Sequence, residues 1–246
     1  MSRTLPAVAL VDREDFLTRR WKYAPGEHTS FIAPTTSGKT TLAYQLLQHT
    51  ATPDLPALVV CMKPRDAVVT RWNRELGFRR VTTWPPPPTS WPLHPPGYTL
   101  WPKTTKDFHR DDAALREQFV HALRAAYERR RPYGRKGPWI FFADEVIGLT
   151  KDLQMGRELD SVWTRGASNG CGLWGATQAP AHVSLHMYSA CHHLFLSREP
   201  DKRRRDRFGE IGGVDPDLVK FTVARLLKFQ WLYIRRSDGA MCIVDR

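Results

Sequence analysis

One segment near the start of the chain restricts the possible folds more than any other. It reads Ala-Pro-Thr-Thr-Ser-Gly-Lys-Thr from Ala33 to Thr40, and it matches the pattern G-x-x-x-x-G-K-[ST] except that alanine stands first. Such a loop turns its backbone N–H groups toward an anion, and it needs a strand before it and a helix after it. The apolar run 29–33 and the periodic apolar residues of 39–49 satisfy both needs. The segment therefore predicts a phosphate-binding loop.

The loop assigns roles to particular side chains. The Lys39 ammonium can reach the β- and γ-phosphates of a nucleoside triphosphate, and the Thr40 hydroxyl can ligate Mg²⁺. The predicted nucleotide-binding residues are Pro34, Thr35, Thr36, Ser37, Gly38, Lys39, Thr40 and Thr41. Because the sequence has no Asn-Lys-x-Asp element for guanine, we predict ATP and Mg²⁺ as the ligands.

A second motif follows a buried strand. The apolar residues Ile140 to Ala143 lead directly into Asp144 and Glu145. After a phosphate-binding loop, this pattern predicts that Asp144 binds Mg²⁺ and that Glu145 activates the attacking water as general base. An acidic pair that caps the next helix is the alternative.

A third strand, 173–177, ends in Gln178. Its amide could form a hydrogen bond with the γ-phosphate or with the attacking water, which would make Gln178 a third catalytic candidate after Glu145 and Lys39. A glutamine that caps the turn before Pro180 is the alternative.

Strands alternate with helices along the chain, which predicts an α/β fold with a mainly parallel central sheet flanked by helices. Continuous apolar runs such as 57–62 are typical of strands that are buried on both faces. The segment 110–130 has the apolar stripe of an amphipathic helix. At the end of the chain, 226–235 and 240–244 flank a Ser-Asp-Gly turn and predict a β-hairpin.

Residues 84–102 interrupt this pattern with eight of the chain's nineteen prolines. Proline lacks the backbone N–H, so we interpret the segment as a proline-rich insertion in a domain of 29–246. Tryptophans such as Trp91 would pack against the insertion, and Tyr98 to Trp101 would return to the sheet. The alternative is that the insertion binds a protein partner as a polyproline ligand. Residues 1–28 are a separate N-terminal segment in this division.

The order of these motifs resembles that of the FtsK–HerA superfamily of ATPase motors. The loop, the strand that ends in Asp-Glu, Arg165-Gly166 and the strand that ends in Gln178 follow one another as they do there. Val59 to Lys63 is similar to the strand-then-lysine element of conjugative coupling proteins, and 227–239 is similar to their closing hairpin. The resemblance covers roughly residues 29–246, and the alanine in the loop and the proline-rich insertion depart from it.

The resemblance implies a RecA-like P-loop core that assembles into a homo-oligomeric ring and moves double-stranded DNA, as in genome packaging, conjugation or segregation. In such rings the nucleotide lies between subunits, and a neighbour supplies an arginine to the developing charge. Arg165 is the first candidate for this arginine and Arg198 is the second. A surface or salt-bridged arginine is the alternative for each.

The charge of the chain agrees with a polyanionic partner. The net charge is +12 at neutral pH, with a sequence pI of about 9.9, and such a surplus attracts nucleic acid. Basic residues concentrate in 198–207 and 129–136. We predict DNA contacts from Lys202, Arg203, Arg204 and Arg205; a solvated basic face is the alternative.

The cysteines and histidines do not have the spacing of a metal site. The four cysteines are far apart and form no C-x-x-C pair, which favours a reducing compartment over a disulfide framework. We expect a structural role for His182, His186, Cys191, His192 and His193. Without an apolar leader or a long apolar run, the sequence predicts no membrane span and a cytoplasmic location, in the host cytoplasm if the protein is viral.

Together these features predict a Mg²⁺-ATP-dependent ring motor that translocates or packages DNA. Two alternatives stay open. A P-loop phosphotransferase would act on a small molecule and use 198–207 as a lid, although Glu145 favours the activation of water. A nucleotide-switched adaptor would bind ATP without turnover and dock a partner through the proline-rich insertion.

Overall fold

The computed structural model describes residues 7–88, 94–105, 107–178 and 184–246. Within these ranges lie ten strands: β1 (Leu10–Val11), β2 (Thr29–Ile32), β3 (Ala57–Val60), β4 (Arg79–Val81), β5 (Gly97–Leu100), β6 (Trp139–Ala143), β7 (Cys171–Thr177), β8 (His193–Ser197), β9 (Trp231–Arg235) and β10 (Met241–Val244). The α-helices there are α1 (Arg13–Asp15), α2 (Lys39–Gln48), α3 (Ala67–Glu75), α4 (Phe108–Tyr127), α5 (Gly156–Arg165), α6 (His186–Ser189), α7 (Lys202–Asp206) and α8 (Pro216–Arg225).

All ten strands belong to one sheet, in the order β1-β10-β9-β8-β2-β7-β6-β3-β5-β4. Neighbouring strands are parallel except where β9 pairs with β8 and with β10. The predicted α/β class, the mainly parallel sheet and the closing hairpin are therefore confirmed. Because β8, β2, β7, β6 and β3 are adjacent and parallel, they end along one side of the sheet. We call this side the carboxyl edge, and the opposite side the amino edge.

The sheet separates two apolar layers. Phe141 and Leu173 belong to one layer, and Phe142 and Trp174 to the other, so neighbouring residues of a strand alternate between the layers. Helix α4 covers the first layer and α2 covers the second. Of the helices described, none is both long and apolar enough to cross a membrane.

The N-terminal residues pack against the sheet. Strand β1 pairs in parallel with β10, and Phe16 and Trp21 are buried in the same layer as α2. The indole Nε1 of Trp21 donates to Thr50 Oγ1 at 2.8 Å. Strand β1 thus extends the sheet beyond β10, and residues 16–21 cover one of its faces.

Part of the proline-rich insertion is also held against the core. The backbone N–H of Trp84 donates to Gln118 Oε1 at 2.6 Å, and its buried ring packs edge-on against Tyr98 and Trp139. Strand β5 lies between β3 and β4, so the predicted return to the sheet is confirmed. Trp91 lies outside the described residues.

The closing hairpin begins later than the sequence predicts. Apolar residues from 226 onward indicate a strand, but β9 starts at Trp231. Gln230 causes the difference, because its Oε1 accepts from the N–H of Leu227 at 2.8 Å while its own N–H donates to the Leu227 carbonyl at 3.1 Å. These two bonds close residues 227–230 into a turn.

Candidate active site

The predicted motifs meet in one cleft at the carboxyl edge. Strands β2, β7, β6 and β3 end side by side there, and the loop after β2 closes the cleft from one end. Its volume is about 200 Å³. The residues that line it are Thr35, Thr36, Gly38, Lys39, Thr40, Thr41, Lys63, Val68, Asp144, Glu145 and Gln178.

No side chain of the described residues caps the N–H groups in the first turn of α2. Aspartate side chains accept hydrogen bonds from the first N–H groups of α3, α4 and α8, whereas α2 begins after Gly38 with no side-chain cap. Gly38 has a φ of 87° and Thr36 a φ of 63°, which is the left-handed region that favours glycine. A helix start of this kind is suited to binding the phosphates of a nucleotide.

Lys39 folds back over the loop. Its Nζ donates to the Ala33 carbonyl at 2.9 Å and to the Pro34 carbonyl at 3.2 Å. Burial lowers the pKa of this ammonium, and the charges of Glu145 and Asp144 oppose the shift. The lysine is therefore a buried cation beside the open helix start.

Asp144 and Thr40 form an oxygen pair that suits a magnesium ion. Thr40 Oγ1 donates to Asp144 Oδ1 at 2.8 Å, and hydroxyl and carboxylate oxygens are ligands that Mg²⁺ prefers. Burial raises the pKa of Asp144, while the hydrogen bond from Thr40 and the charge of Lys63 oppose the shift. The two residues fit the ion that the sequence predicts.

Lys63, the last residue of the strand-then-lysine element, also lines the cleft. Its Nζ lies 3.0 Å from Asp66 Oδ2 and 3.8 Å from Asp144 Oδ2. Partial burial lowers its pKa, but the hydrogen bond to Asp66 and the charge of Asp144 outweigh this and raise it overall. The sequence indicates this position, since Lys63 follows the apolar run of β3 as Asp144 follows that of β6.

Glu145 is held at one oxygen and unpaired at the other. Gln178 Nε2 donates to Glu145 Oε2 at 2.8 Å, and Gln178 Oε1 accepts from Thr35 Oγ1 at 2.6 Å. Glu145 Oε1 is buried and has no hydrogen-bond partner in the described part of the chain. Burial raises the pKa of this carboxyl, while the hydrogen bond from Gln178 opposes the shift. An oriented carboxylate with one unpaired oxygen can accept a proton from water in the cleft.

The two candidate arginines lie at opposite edges of the sheet. Arg165 ends α5, and the next residue, Gly166, accepts from the N–H of Cys171 at the start of β7, on the amino edge. Arg198 follows β8, the neighbour of β2, so it lies on the carboxyl edge. Both side chains are exposed. One subunit therefore brings Arg198, and not Arg165, to the edge that carries its own cleft.

The basic residues predicted for DNA divide into two groups. Arg204 lies 3.8 Å from Glu199, and Arg205 donates to the carbonyls of Glu199 and Pro200. Lys202 and Arg203 are exposed, and their side chains form no ion pair or hydrogen bond within the described ranges. All four lie on α7, which follows β8 on the carboxyl edge.

The described residues contain no cluster of three or more His, Cys, Asp or Glu that could hold a metal ion. His193 instead contacts Tyr233 and Glu27 through its two ring nitrogens, at 2.9 and 3.0 Å. His192 Nδ1 accepts from the N–H of His28 at 3.0 Å. His182 lies outside the described residues.

The sequence matches no protein-family profile and no curated protein. Solved structures do match. The genome-packaging NTPase B204 of Sulfolobus turreted icosahedral virus 2, in complex with AMPPCP, has a TM-score of 0.59 at 11% identity, over 90% of this chain and 98% of that one. VirB4 of Thermoanaerobacter pseudethanolicus has a TM-score of 0.61 at 9% identity, over 89% of each chain.

The chain has a RecA-like P-loop ATPase fold. ATPases 2 and 3 of EssC from Geobacillus thermodenitrificans also share it, with a TM-score of 0.51 at 14% identity over 91% of this chain and 40% of that one. At such identities the comparison concerns the fold alone, and the RecA-like core expected from the order of the motifs is confirmed.

Proposed function

We propose that this chain is a Mg²⁺-dependent ATPase that moves double-stranded DNA and works as a homo-oligomeric ring. One observation carries the ATPase part: the Glu145 carboxylate, whose Oε1 has no hydrogen-bond partner in the described residues, lines the same cleft as the Thr40–Asp144 pair and Lys39. The similar B204 protein is described as a genome-packaging NTPase and was crystallised with AMPPCP, which supports the DNA part.

The cleft residues divide the chemistry of hydrolysis among them. Thr40 and Asp144 would hold Mg²⁺, which neutralises charge on the β- and γ-phosphates. Lys39 turns from the loop carbonyls to the phosphates. The Glu145 carboxylate takes a proton from water as the water oxygen bonds to the γ-phosphorus and the bond to the β–γ bridging oxygen breaks. Gln178 keeps Glu145 in position through a hydrogen bond to its Oε2.

The raised pKa of Glu145 predicts how hydrolysis depends on pH. A base works only when deprotonated, so the rate should fall as the pH drops through the pKa of Glu145, which lies above the usual 4.5. Because the hydrogen bond from Gln178 lowers this pKa, Gln178→Leu should move the acidic limb of the kcat–pH profile to higher pH. Gln48→Leu, on the exposed end of α2, is the control. An acidic limb that Gln178→Leu leaves in place would contradict the positioning role.

The DNA part is tested by steady-state ATP hydrolysis with and without long double-stranded DNA. We expect DNA to stimulate hydrolysis, because Lys202 and Arg203 present unpaired charges to a phosphate backbone. The double variant Lys202→Ala with Arg203→Ala should weaken DNA binding. It should also reduce the slope of log K against log salt by about 2, since each lost phosphate contact lowers the slope by about 0.9.

The matched control removes the same charge elsewhere. Arg135 and Lys136 are exposed and lie before β6, on the amino edge, so Arg135→Ala with Lys136→Ala should leave the slope unchanged. Equal losses in both double variants would indicate a general charge effect. Hydrolysis that is indifferent to DNA would favour a phosphotransferase, and tight ATP binding without turnover would favour an adaptor.

The ring part of the proposal assigns an arginine to the neighbouring subunit. If the amino edge of one subunit faces the cleft of the next, Arg165 is the arginine that completes the site; Arg198, on the carboxyl edge, is the second candidate. Mixing an inactive Glu145→Gln subunit with an Arg165→Ala subunit tests the assignment, because only an arginine that acts between subunits restores hydrolysis in the mixture.

A further inference from the structure

The turn before β9 holds an aromatic residue in a conformation that favours glycine. Phe229 has a φ of 70°, which is rare for a bulky side chain. Arg13 fixes this conformation, because its Nη2 donates to the Phe229 carbonyl at 2.6 Å and its Nε donates to the Asp245 carbonyl at 2.9 Å. Gln230 adds a hydrogen bond to Asp245 Oδ1 at 3.1 Å. The strain is thus maintained by several surrounding groups.

The Phe229 ring lies against the phosphate-binding loop. A Cβ atom placed on Gly38 would lie 3.3 Å from Phe229 Cδ1 and 3.8 Å from Cε1. The ring is half-buried, and the Lys228 ammonium and the Arg246 guanidinium lie over it, 5.0 and 4.9 Å from its centre. Both cations belong to exposed side chains. The turn therefore presents an aromatic ring and positive charge beside the start of α2.

The fold alone does not require an aromatic residue at this position. A left-handed turn residue is normally glycine or asparagine, and a buried core residue would lie deeper than Phe229 does. Strained residues that the surrounding structure holds in place cluster at ligand sites. A flat ring next to a phosphate-binding helix start is placed to stack on the base of a nucleotide whose phosphates lie in the loop.

We infer that Phe229 is the residue that stacks on the nucleobase, and that the exposed Lys228 or Arg246 side chain, both of which lie over the ring in this structure, turns aside to admit the base. This inference rests on the proposed binding of a nucleotide in the cleft. It adds the contact by which the site would distinguish a nucleotide from inorganic triphosphate. Stacking uses the face of the base, and every base offers one. The ring thus contributes affinity for the base, while the loop contributes affinity for the phosphates.

Calorimetric titration with two probes tests this division. The probes are Mg²⁺-ATP and Mg²⁺ with inorganic triphosphate, which has the phosphates without the base. We expect the wild-type chain to bind ATP at least tenfold more tightly than triphosphate. Phe229→Ala should weaken ATP binding about tenfold and change triphosphate binding less than twofold, as expected for the loss of one base–aromatic stack. Phe229→Trp should retain the preference for ATP.

Two further variants separate recognition from folding. Phe229→Gly removes the ring but tolerates the positive φ, so it should lose the ATP preference without a lower melting temperature in the absence of ligand. Phe221→Ala removes an exposed phenylalanine of α8 that also contacts an arginine, and it should change neither affinity.

The outcomes distinguish this inference from the proposal on which it rests. Equal weakening of ATP and triphosphate in Phe229→Gly would overturn the inference, because the ring would then only shape the loop. A wild-type chain that binds both probes equally would also overturn it and would leave the phosphate site standing. A wild-type chain that binds neither would overturn the nucleotide proposal itself.

Discussion

Replacing Glu145 with glutamine should lower the rate of ATP hydrolysis by a factor of about 100 to 10,000, which is the usual contribution of a general base. ATP binding should change by only a few-fold. The substitution keeps the shape of the side chain, and its amide oxygen can still accept the 2.8 Å hydrogen bond from Gln178. The amide nitrogen would then occupy the position of Oε1. A donor would replace the proton acceptor in the cleft, and hydrolysis would lose its base.

Single-turnover hydrolysis and ATP titration on the same preparation measure the two effects separately. Glu158→Gln is the matched control, because it neutralises a partly exposed carboxylate of α5 that pairs with Arg116 at 2.8 Å. The control should hydrolyse ATP at the wild-type rate. If Glu145→Gln kept the rate within threefold of wild type, the base would have to be another residue, and the unpaired oxygen would have no catalytic meaning.

The sequence predicts the elements of this fold well because each has a local cause. The run Trp139 to Ala143 is apolar throughout and becomes a strand buried on both faces. The periodic residues after Lys39 become α2. The start of the hairpin was predicted wrongly, because apolar residues after Leu226 fit a strand and the Gln230 side chain closes a turn there instead. Such a bond depends on tertiary placement, and hydrophobic patterns do not report it.

The site shows the same division between local and long-range information. The sequence identifies Lys39, Thr40, Asp144 and Glu145 by motif, and their meeting follows from adjacent parallel strands. Pairwise contacts are different. Gln178 bridges Glu145 and Thr35 because β7 lies between β2 and β6 in the sheet. This strand order cannot be predicted from the sequence motifs. In the same way, Arg204 and Arg205 contact Glu199, whereas the side chains of Lys202 and Arg203 have no partner in the described residues. The sequence alone does not distinguish these four basic residues.

Lys39→Ala should raise the dissociation constant for Mg²⁺-ATP by about 100-fold and abolish measurable hydrolysis. The ammonium is 8% exposed and already desolvated, so its attraction for phosphate is weakly screened. Losing one partner of such a charged contact costs about 3 kcal/mol, which corresponds to that factor. The substitution also removes the positive charge that opposes the raised pKa values of Asp144 and Glu145. Titration with ATP at several pH values measures both effects.

Lys63→Ala is the informative comparison, because both lysines line the same cleft. The Lys63 side chain is 57% exposed and is paired with Asp66 at 3.0 Å, and exposed ion pairs contribute roughly 0 to 1 kcal/mol. Its loss should therefore weaken ATP binding less than fivefold. Equal losses in the two variants would mean that the cleft attracts phosphate only through its total charge. A large difference would mean that the buried position of Lys39, beside the open start of α2, is what makes it the phosphate-binding residue.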